Sequence, residues 1–288
     1  MSGPALGLVL LAAIAHATWN LLARRANEKL AFLWCGNLVS SILFLPLGAW
    51  LLLTEPIPLS GWGVLGLSAI LEALYYWTLA QAYRYGDLSL VYPIARGTAP
   101  ILVPLLAAVF LGERLSAAAA GGIGLVVLGT VVINTRSLGR PSLGAIREIV
   151  NQLGTRYALL TGLVIAAYSS LDKYGVSLVR PLLYGYLLFL GLTLTLLPLV
   201  LRQRQALASE WRLHRGSIVI VGVLAPSSYL LVLLALTLAP VSYVAAAREV
   251  SVVLAALLGA LVLHEVYGRQ RLLGSTCIAA GLMLLVLG

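Results

Sequence analysis

Residues 111–130 read LGERLSAAAAGGIGLVVLGT, and residues 263–282, which lie 152 positions later, read LHEVYGRQRLLGSTCIAAGL. The same offset aligns the two halves of the chain without a gap. The matched pairs include Glu113 with Glu265, Gly122 with Gly274, Gly129 with Gly281, Pro46 with Pro198, and Arg96 with Arg248. A repeat at one fixed offset means that one structural unit is used twice, and this sets the architecture.

The composition of the chain indicates that its solvent is lipid. Of 288 residues, 61% are hydrophobic and 10% are charged, whereas a soluble domain is roughly 45–50% apolar and 25% charged. The net charge of +9 does not indicate nucleic-acid binding, because the basic residues lie in short loops between apolar stretches. Cys35 and Cys277 lie in apolar runs and form no metal or redox pattern, so we expect no metal and no cofactor.

Ten apolar stretches are long enough to cross about 30 Å of hydrocarbon, which takes roughly 17–25 residues. They are 4–23, 30–53, 61–84, 89–110, 116–134, 156–178, 181–201, 216–238, 241–263 and 269–287. The segment 135–155 is the one long connection. It is predicted to be a cytoplasmic linker between a first repeat, 1–134, and a second, 156–288.

Five spans per repeat is an odd number, so the second repeat must begin on the opposite side of the membrane. The predicted fold is therefore an all-α integral membrane protein of ten transmembrane helices, arranged as two inverted five-helix repeats around a central cavity. Fourteen basic residues fall on one side of the predicted spans and three on the other. This bias places the first group in the cytoplasm and both termini outside. No organelle signal is visible, which favours a bacterial cytoplasmic (inner) membrane.

Ionisable residues at membrane depth are functional candidates, because burying their charge in lipid is costly. Arg96 and Arg248 are each the eighth residue of a predicted span, and Glu72 lies near the middle of the third. An arginine offers a planar fork that suits a carboxylate or a phosphate. The alternative is that the arginines pair with Glu72, with Glu249 or with backbone carbonyls as structural pins.

A polar and aromatic set accompanies these charges on equivalent spans of both repeats, which favours a shared cavity. It includes Trp19, Tyr75, Tyr76, Tyr92, Tyr168, Asp172, Ser228 and Tyr243. The alternative is that hydroxyls join helices and that tyrosines anchor at interfaces. Glu72 and His16 are the candidates for carrying a coupling proton.

The repeated acid and glycines have a structural interpretation. Glu113 and Glu265 each begin the turn before an apolar stretch, where a carboxylate can cap the next helix. The glycines at 122, 129, 274 and 281 lie seven apart on one helix face and permit close packing, with a dimer contact as one use. A ten-span chain of two repeats can also be complete as a monomer.

The spacing Gly112-Glu113-Arg114-Leu115 with Gly122 and Gly129, repeated as His264-Glu265-Val266 with Gly274 and Gly281, resembles the drug/metabolite transporter superfamily. Within it, the chain resembles the EamA-domain branch and its bacterial exporters of aromatic amino acids. The resemblance covers nearly the whole chain. It implies that the first, third, fourth, sixth, eighth and ninth spans line a central cavity, while the fifth and tenth pack outside. His264 departs from the pattern, which has glycine at the equivalent position 112.

The expected function is export of amino acids with aromatic or hydrophobic side chains, or of similar small metabolites, by alternating access. The alternative within the same fold is a sugar-phosphate or nucleotide-sugar antiporter. An enzyme is not expected, because the chain has no His-Glu-x-x-His motif and no Gly-x-Ser-x-Gly motif with triad partners. The expected partners are a small-molecule substrate and the lipid bilayer.

Overall fold

The computed structural model describes residues 1–23, 25–86, 88–134, 150–254, 257 and 269–287, without the side chains of 88–90, 92–93, 133–134 and 271. All regular secondary structure in these ranges is helical. The helices are α1 (Gly3–Ala23), α2 (Lys29–Leu43), α3 (Leu45–Thr54), α4 (Leu59–Tyr85), α5 (Leu88–Leu111), α6 (Ala117–Asn134), α7 (Leu153–Leu178), α8 (Pro181–Val200), α9 (Arg204–Leu238), α10 (Val241–Ala247) and α11 (Arg269–Leu287).

Four described stretches are long and apolar enough to cross a membrane, and a fifth qualifies if α2 and α3 count as one bent span. The four are Gly3–Ala23, Leu59–Tyr85, Ile94–Leu111 and Pro181–Leu238, the last of which contains both α8 and α9. Shorter apolar helices cover Ala117–Val132 and Leu272–Leu287. The described helices therefore follow the predicted apolar stretches, while the count of ten spans stays a prediction.

The second predicted span, 30–53, is broken in the structure. Helix α2 ends at Leu43, α3 begins at Leu45, and the two are bent by 56°. Pro46 lies in the first turn of α3, where its ring would clash with the carbonyl of Ile42 if the helix were continuous. The equivalent Pro198 lies inside α8, so the two repeats differ here.

Two further helices depart from the predicted bounds. Helix α9 begins at Arg204 and not at residue 216, and its backbone is non-helical at His214 (φ −127°, ψ 19°). Helix α10 ends at Ala247, a turn follows at Arg248 and Glu249, and helix resumes from 250 to 254. The ninth predicted span is therefore interrupted at the arginine that the sequence analysis selects.

A pseudo-twofold axis passes between α2 and α8. The Trp34 Nε1–H donates to the Thr193 carbonyl at 3.0 Å, and the Tyr186 hydroxyl reaches the Ser41 carbonyl at 3.4 Å. Tyr186 is the repeat equivalent of Trp34, and Ser41 is that of Thr193, so the second contact is the repeat equivalent of the first. The side chains of Ser41 and Thr193, which are themselves repeat equivalents, lie 3.3 Å apart. Equivalent helices of the two repeats thus pack antiparallel about this point.

Helices α6 and α11 meet through the repeated glycines. A Cβ atom added to Gly122 would lie 2.7 Å from the Gly281 carbonyl oxygen, and one added to Gly129 would lie 2.5 Å from that of Gly274. These distances leave no room for a side chain, so the two backbones are in direct contact. The glycine faces are therefore occupied within one chain, and the suggested dimer contact is not what they form.

We expect Gly129→Val to lower the thermal unfolding temperature of the detergent-purified protein. The branched side chain must force α6 and α11 apart, and overpacking typically costs about 1–3 kcal/mol. Gly124→Val is the matched control, because nothing lies within 4 Å of a Cβ atom at Gly124 on the same helix. Intrinsic tryptophan fluorescence during heating measures both variants. Equal melting temperatures for the two variants would contradict the packing argument.

Packing between the repeats creates the centre of the molecule. Helix α1 packs against α9, and α4 packs against α7. Since α1 corresponds to α7 and α4 to α9, these two pairs are one packing arrangement seen twice. Helix α5 also packs against α7, and α2 against α9. The interior between these helices therefore receives side chains from both halves of the chain.

Glu113 caps a helix in the other repeat and not the helix that follows it. Its carboxylate accepts the Val241 N–H at 2.7 Å, the Ser242 N–H at 3.2 Å and the Ser242 hydroxyl at 2.7 Å. Ser116 caps α6 instead, accepting the Ala119 N–H at 3.0 Å. The expected target was wrong because α5 packs beside α10 and brings its last turn to the start of that helix. Glu265 lies outside the described residues.

Candidate functional site

A cavity of about 100 Å³ lies between the two halves of the chain. Its lining comes from α1, α2, α4 and α5 in the first half, and from α7, α8, α9 and the segment after α10 in the second. Among the described residues, α6 and α11 contribute nothing to the lining. The expected set of lining spans was incomplete, because α2 and α8 also contribute, through Leu33, Asn37, Phe189 and Leu192.

The structure brings most of the predicted site residues together around this cavity. Those that line it are His16, Trp19, Glu72, Tyr75, Tyr76, Arg96, Tyr168, Ser228 and Arg248. The side chain of Tyr92 lies outside the described residues. Tyr243 does not reach the cavity: it is buried in an apolar cluster with Ala119, Ile123, Val126 and Leu285. Periodicity alone could not show that this face of α10 turns toward α6 and α11.

Arg96 is held by an acid of the other repeat. Its guanidinium lies 3.0 Å from the Glu249 carboxylate, and the two side chains are 18% and 5% exposed. Glu249 lies at the interruption that follows α10. The pairing that the sequence analysis left as an alternative is therefore present for Arg96, whose charge is largely balanced inside the protein.

Arg248 has a different environment. Its guanidinium carbon lies 5.8 Å from the centre of the Tyr229 ring, a distance at which a cation and an aromatic face attract. Among the described residues, no carboxylate oxygen lies within 4.0 Å of this guanidinium. Glu72, which is 7% exposed, lines the same cavity as Arg248. The cavity lining thus contains the Arg248 guanidinium and the Glu72 carboxyl group without a direct ion pair between them.

Aromatic rings form much of the remaining lining. Tyr75 makes edge contacts with Tyr76 and Tyr168, with ring centres 5.3 Å and 6.1 Å apart. Phe189 contacts Tyr229 in the same way at 6.0 Å, and His16 contacts Trp19 at 4.8 Å. Such rings offer both apolar faces and polar edges to a bound molecule.

The sequence model described as the EamA-like transporter family matches residues 3–135 and 152–287, which together cover most of the chain. The chain belongs to the EamA-like transporter family. Proteins of this family are membrane transporters of small metabolites. This EamA-like transporter is accordingly a multi-pass membrane protein that contains the family unit twice.

Solved structures support the same fold. Twenty-nine chains match this EamA-like transporter. One of them, titled "Crystal structure of protein", has a TM-score of 0.73 and 16% sequence identity, and the match covers 100% of this chain and 98% of that one. At this identity the likeness concerns the fold alone. No curated protein matches, so no named relative bears on the expected specificity for aromatic amino acids.

Asp172 is a buried acid of the transporter that belongs to the predicted polar set but is not among the predicted site residues. It is fully buried on α7 and accepts hydrogen bonds from the Ser68 hydroxyl at 2.5 Å, from the Tyr184 hydroxyl at 2.6 Å, and from the Tyr229 hydroxyl. Helices α4, α7, α8 and α9 are joined at this one carboxylate. The rule that selects Glu72 as an acid at membrane depth applies equally to Asp172 and would have placed it among the site residues.

Two polar groups near the cavity are used for packing. The Ser228 hydroxyl donates to the Ala12 carbonyl at 3.0 Å and so joins α9 to α1, which is the helix-joining role considered for such hydroxyls. Asn20, the repeat equivalent of Asp172, donates to the His16 carbonyl on its own helix at 2.8 Å. The two repeats therefore share a backbone plan but differ in their buried polar contacts.

Proposed function

We propose that this EamA-like transporter exports amino acids with aromatic or hydrophobic side chains, or similar small zwitterionic metabolites, by alternating access. The observation that carries the proposal is the central cavity, where Arg248 and Glu72 are exposed to the same space and aromatic rings surround them. A zwitterion has one group of each sign, and it can satisfy both residues at once.

Each part of such a substrate has a counterpart in the lining. Arg248 offers a planar fork to the carboxylate, and Glu72 offers its carboxylate to the ammonium group. Tyr75, Tyr76 and Tyr168 accept an apolar or aromatic side chain by edge and stacking contacts. Glu72 and His16, which both line the cavity, are the proposed carriers of a coupling proton.

A sugar-phosphate or nucleotide-sugar antiporter is the alternative for the same fold. The ion pair between Arg96 and Glu249 weighs against it. Two described arginines line the cavity, and this pair balances the charge of Arg96, so that only Arg248 has no carboxylate within 4.0 Å among the described residues. A dianionic phosphate is better served by several unbalanced cations. A zwitterionic substrate requires only one unbalanced cation.

The proposed membrane arrangement has ten spans in two inverted repeats, 1–134 and 156–288, joined by a cytoplasmic linker at 135–155. The antiparallel contacts that exchange under the 152-residue shift support this arrangement. Both termini are placed outside the bacterial cytoplasmic membrane by the charge bias, and the monomer is the proposed unit. Rocking of one repeat against the other would then expose the cavity to each side in turn.

Counterflow into proteoliposomes tests the proposed function. Purified protein would be assayed with labelled L-phenylalanine, L-leucine and glucose 6-phosphate, each against the same unlabelled solute inside. Saturable exchange of the amino acids and not of the phosphate is the expected result. Exchange of glucose 6-phosphate alone would overturn the proposal in favour of the antiporter.

The aromatic lining predicts a selective loss in the Tyr75→Ala variant. We expect the half-saturating concentration of L-phenylalanine to rise roughly three- to tenfold, since one aromatic contact contributes about 0.5–1.5 kcal/mol beyond its buried area. Transport of L-alanine should change little. Trp77→Ala is the matched control: Trp77 lies two residues away, is 43% exposed and packs on Tyr157 outside the cavity. An equal loss in both variants would contradict this role of Tyr75.

A further inference from the structure

The first ten residues of α9, 204–213, form a separate surface helix. Helix α9 has 35 residues, which at 1.5 Å per residue is far longer than about 30 Å of hydrocarbon requires. The non-helical backbone at His214 divides it. Residues 215–238 are sufficient to span a bilayer, so the surface helix lies outside the hydrocarbon core.

One face of the surface helix is fixed to the protein. Glu210 is 1% exposed, and its carboxylate accepts the N–H groups of Asn27 and Glu28 at 3.0 Å and 2.8 Å, just before α2 begins. Leu207, one turn earlier, packs against the apolar cluster around Phe32. These contacts determine which side of the surface helix faces outward.

The exposed face beside these contacts is basic and carries an exposed tryptophan. Arg204, Ala208, Trp211 and Arg212 fall within about 100° of one another at 3.6 residues per turn, and all four are exposed. Arg202 and Arg215 are exposed on either side of this stripe. We define the basic face as Arg202, Arg204, Trp211, Arg212 and Arg215. An open recess of about 560 Å³ adjoins it beside Arg202 and Arg204, where Glu28 is the one acidic lining residue described.

We propose that the basic face binds the phosphate headgroups of anionic phospholipids, with Trp211 at the boundary between lipid and water. Arginines on an amphipathic surface helix attract anionic lipid, and tryptophan favours the membrane interface. Trp211 is 44% exposed, and an apolar ring on this face favours a lipid surface over free phosphate. The proposal goes beyond transport and does not depend on which substrate is carried.

Native mass spectrometry of the detergent-purified full-length protein tests this binding with phosphatidylglycerol, and with phosphatidylcholine as the neutral comparison. The wild type should retain phosphatidylglycerol preferentially. A basic residue near an anionic surface contributes about a fivefold factor, so Arg204→Gln/Arg212→Gln/Arg215→Gln should lose roughly a hundredfold in affinity. Arg84→Gln/Arg156→Gln/Arg269→Gln removes the same charge from exposed arginines elsewhere and should stay near the wild-type affinity.

Further arms separate the alternatives. Arg204→Lys/Arg212→Lys/Arg215→Lys should retain binding, because it keeps the three charges. Unchanged melting temperatures in lipid-free detergent would show that the variants fold. Brominated phosphatidylglycerol should quench the tryptophan fluorescence of the wild type more than that of Trp211→Phe, because Trp211 would be in contact with the bound lipid. Equal losses in both glutamine triples would overturn the proposal in favour of a net-charge effect. Displacement of the lipid by millimolar inorganic phosphate would overturn it in favour of a phosphate site.

Discussion

Replacing Arg248 with alanine is expected to raise the amino-acid concentration that half-saturates counterflow by about thirtyfold or more. Removing one partner of a desolvated charge pair costs about 2–5 kcal/mol, and each 1.4 kcal/mol is about tenfold in affinity. Arg248→Lys should recover part of the loss, because lysine keeps the charge but lacks the planar fork. Initial rates of L-phenylalanine counterflow in proteoliposomes measure all three proteins.

The role of the carboxylate can be isolated with an analogue. 2-Phenylethylamine has the ring and the ammonium group of phenylalanine but no carboxylate. The wild type should prefer L-phenylalanine strongly over this amine, whereas Arg248→Ala should bind the two with similar affinity. This comparison separates a lost contact from a general loss of folded protein, which would lower both affinities.

Arg180→Gln is the matched control for removal of an arginine. Arg180 is 74% exposed and pairs with Glu55 at the end of α3, away from the cavity. An exposed ion pair contributes only about 0–1 kcal/mol, so this variant should transport normally. Normal half-saturation in Arg248→Ala as well would show that Arg248 does not hold the substrate carboxylate.

The sequence was sufficient to predict the apolar helical stretches approximately and to name most of the residues that line the cavity. The shift of 152 residues pairs Gly122 with Gly274 and Gly129 with Gly281. In the structure, Gly122 lies against Gly281 and Gly129 lies against Gly274, at one contact between two helices. Long apolar stretches predict helices, because burial of backbone in lipid requires regular hydrogen bonding. These properties depend on local composition and on the repeat, which a sequence displays directly.

The polar contacts between helices could not be predicted in the same way. Arg96 and Glu249 are 153 positions apart, and their contact depends on the rotation of two helices and on the interruption after Ala247. Glu113 caps a distant helix for the same reason. Tyr243 faces an apolar cluster, and its neighbours in α10 are mostly small or apolar, so the sequence did not show which way its side chain points. Hydrophobic periodicity carries little rotational information in a helix that lipid and protein surround together.

The asymmetry between the repeats was partly visible in the sequence. Asp172 stands where the first repeat has Asn20, and Glu249 stands where it has Gly97. Both acids prove to be buried in polar contacts that their counterparts do not make. A charged residue that lacks a charged equivalent in the other repeat is therefore a useful signal of a specific tertiary contact in this fold.

The ion pair between Arg96 and Glu249 predicts the second large effect, on stability. Arg96→Met or Glu249→Leu alone should each destabilise the protein by about 3–5 kcal/mol, because the remaining charge would be buried without its partner. The double variant, Arg96→Met/Glu249→Leu, should be close to the wild type, since an apolar pair of similar volume can replace a buried ion pair. Melting temperatures in one detergent compare the four proteins and give the coupling between the two positions.

Transport by the double variant decides between the two roles considered for Arg96. If the ion pair is a structural pin, the double variant should catalyse amino-acid counterflow with near wild-type half-saturation, because Arg248 and Glu72 are unchanged. If Arg96 also holds the substrate, the double variant should be as stable as the wild type but lose transport as Arg248→Ala does. A double variant whose destabilisation equals the sum of the two single losses would instead show that the two side chains stabilise the fold through separate contacts.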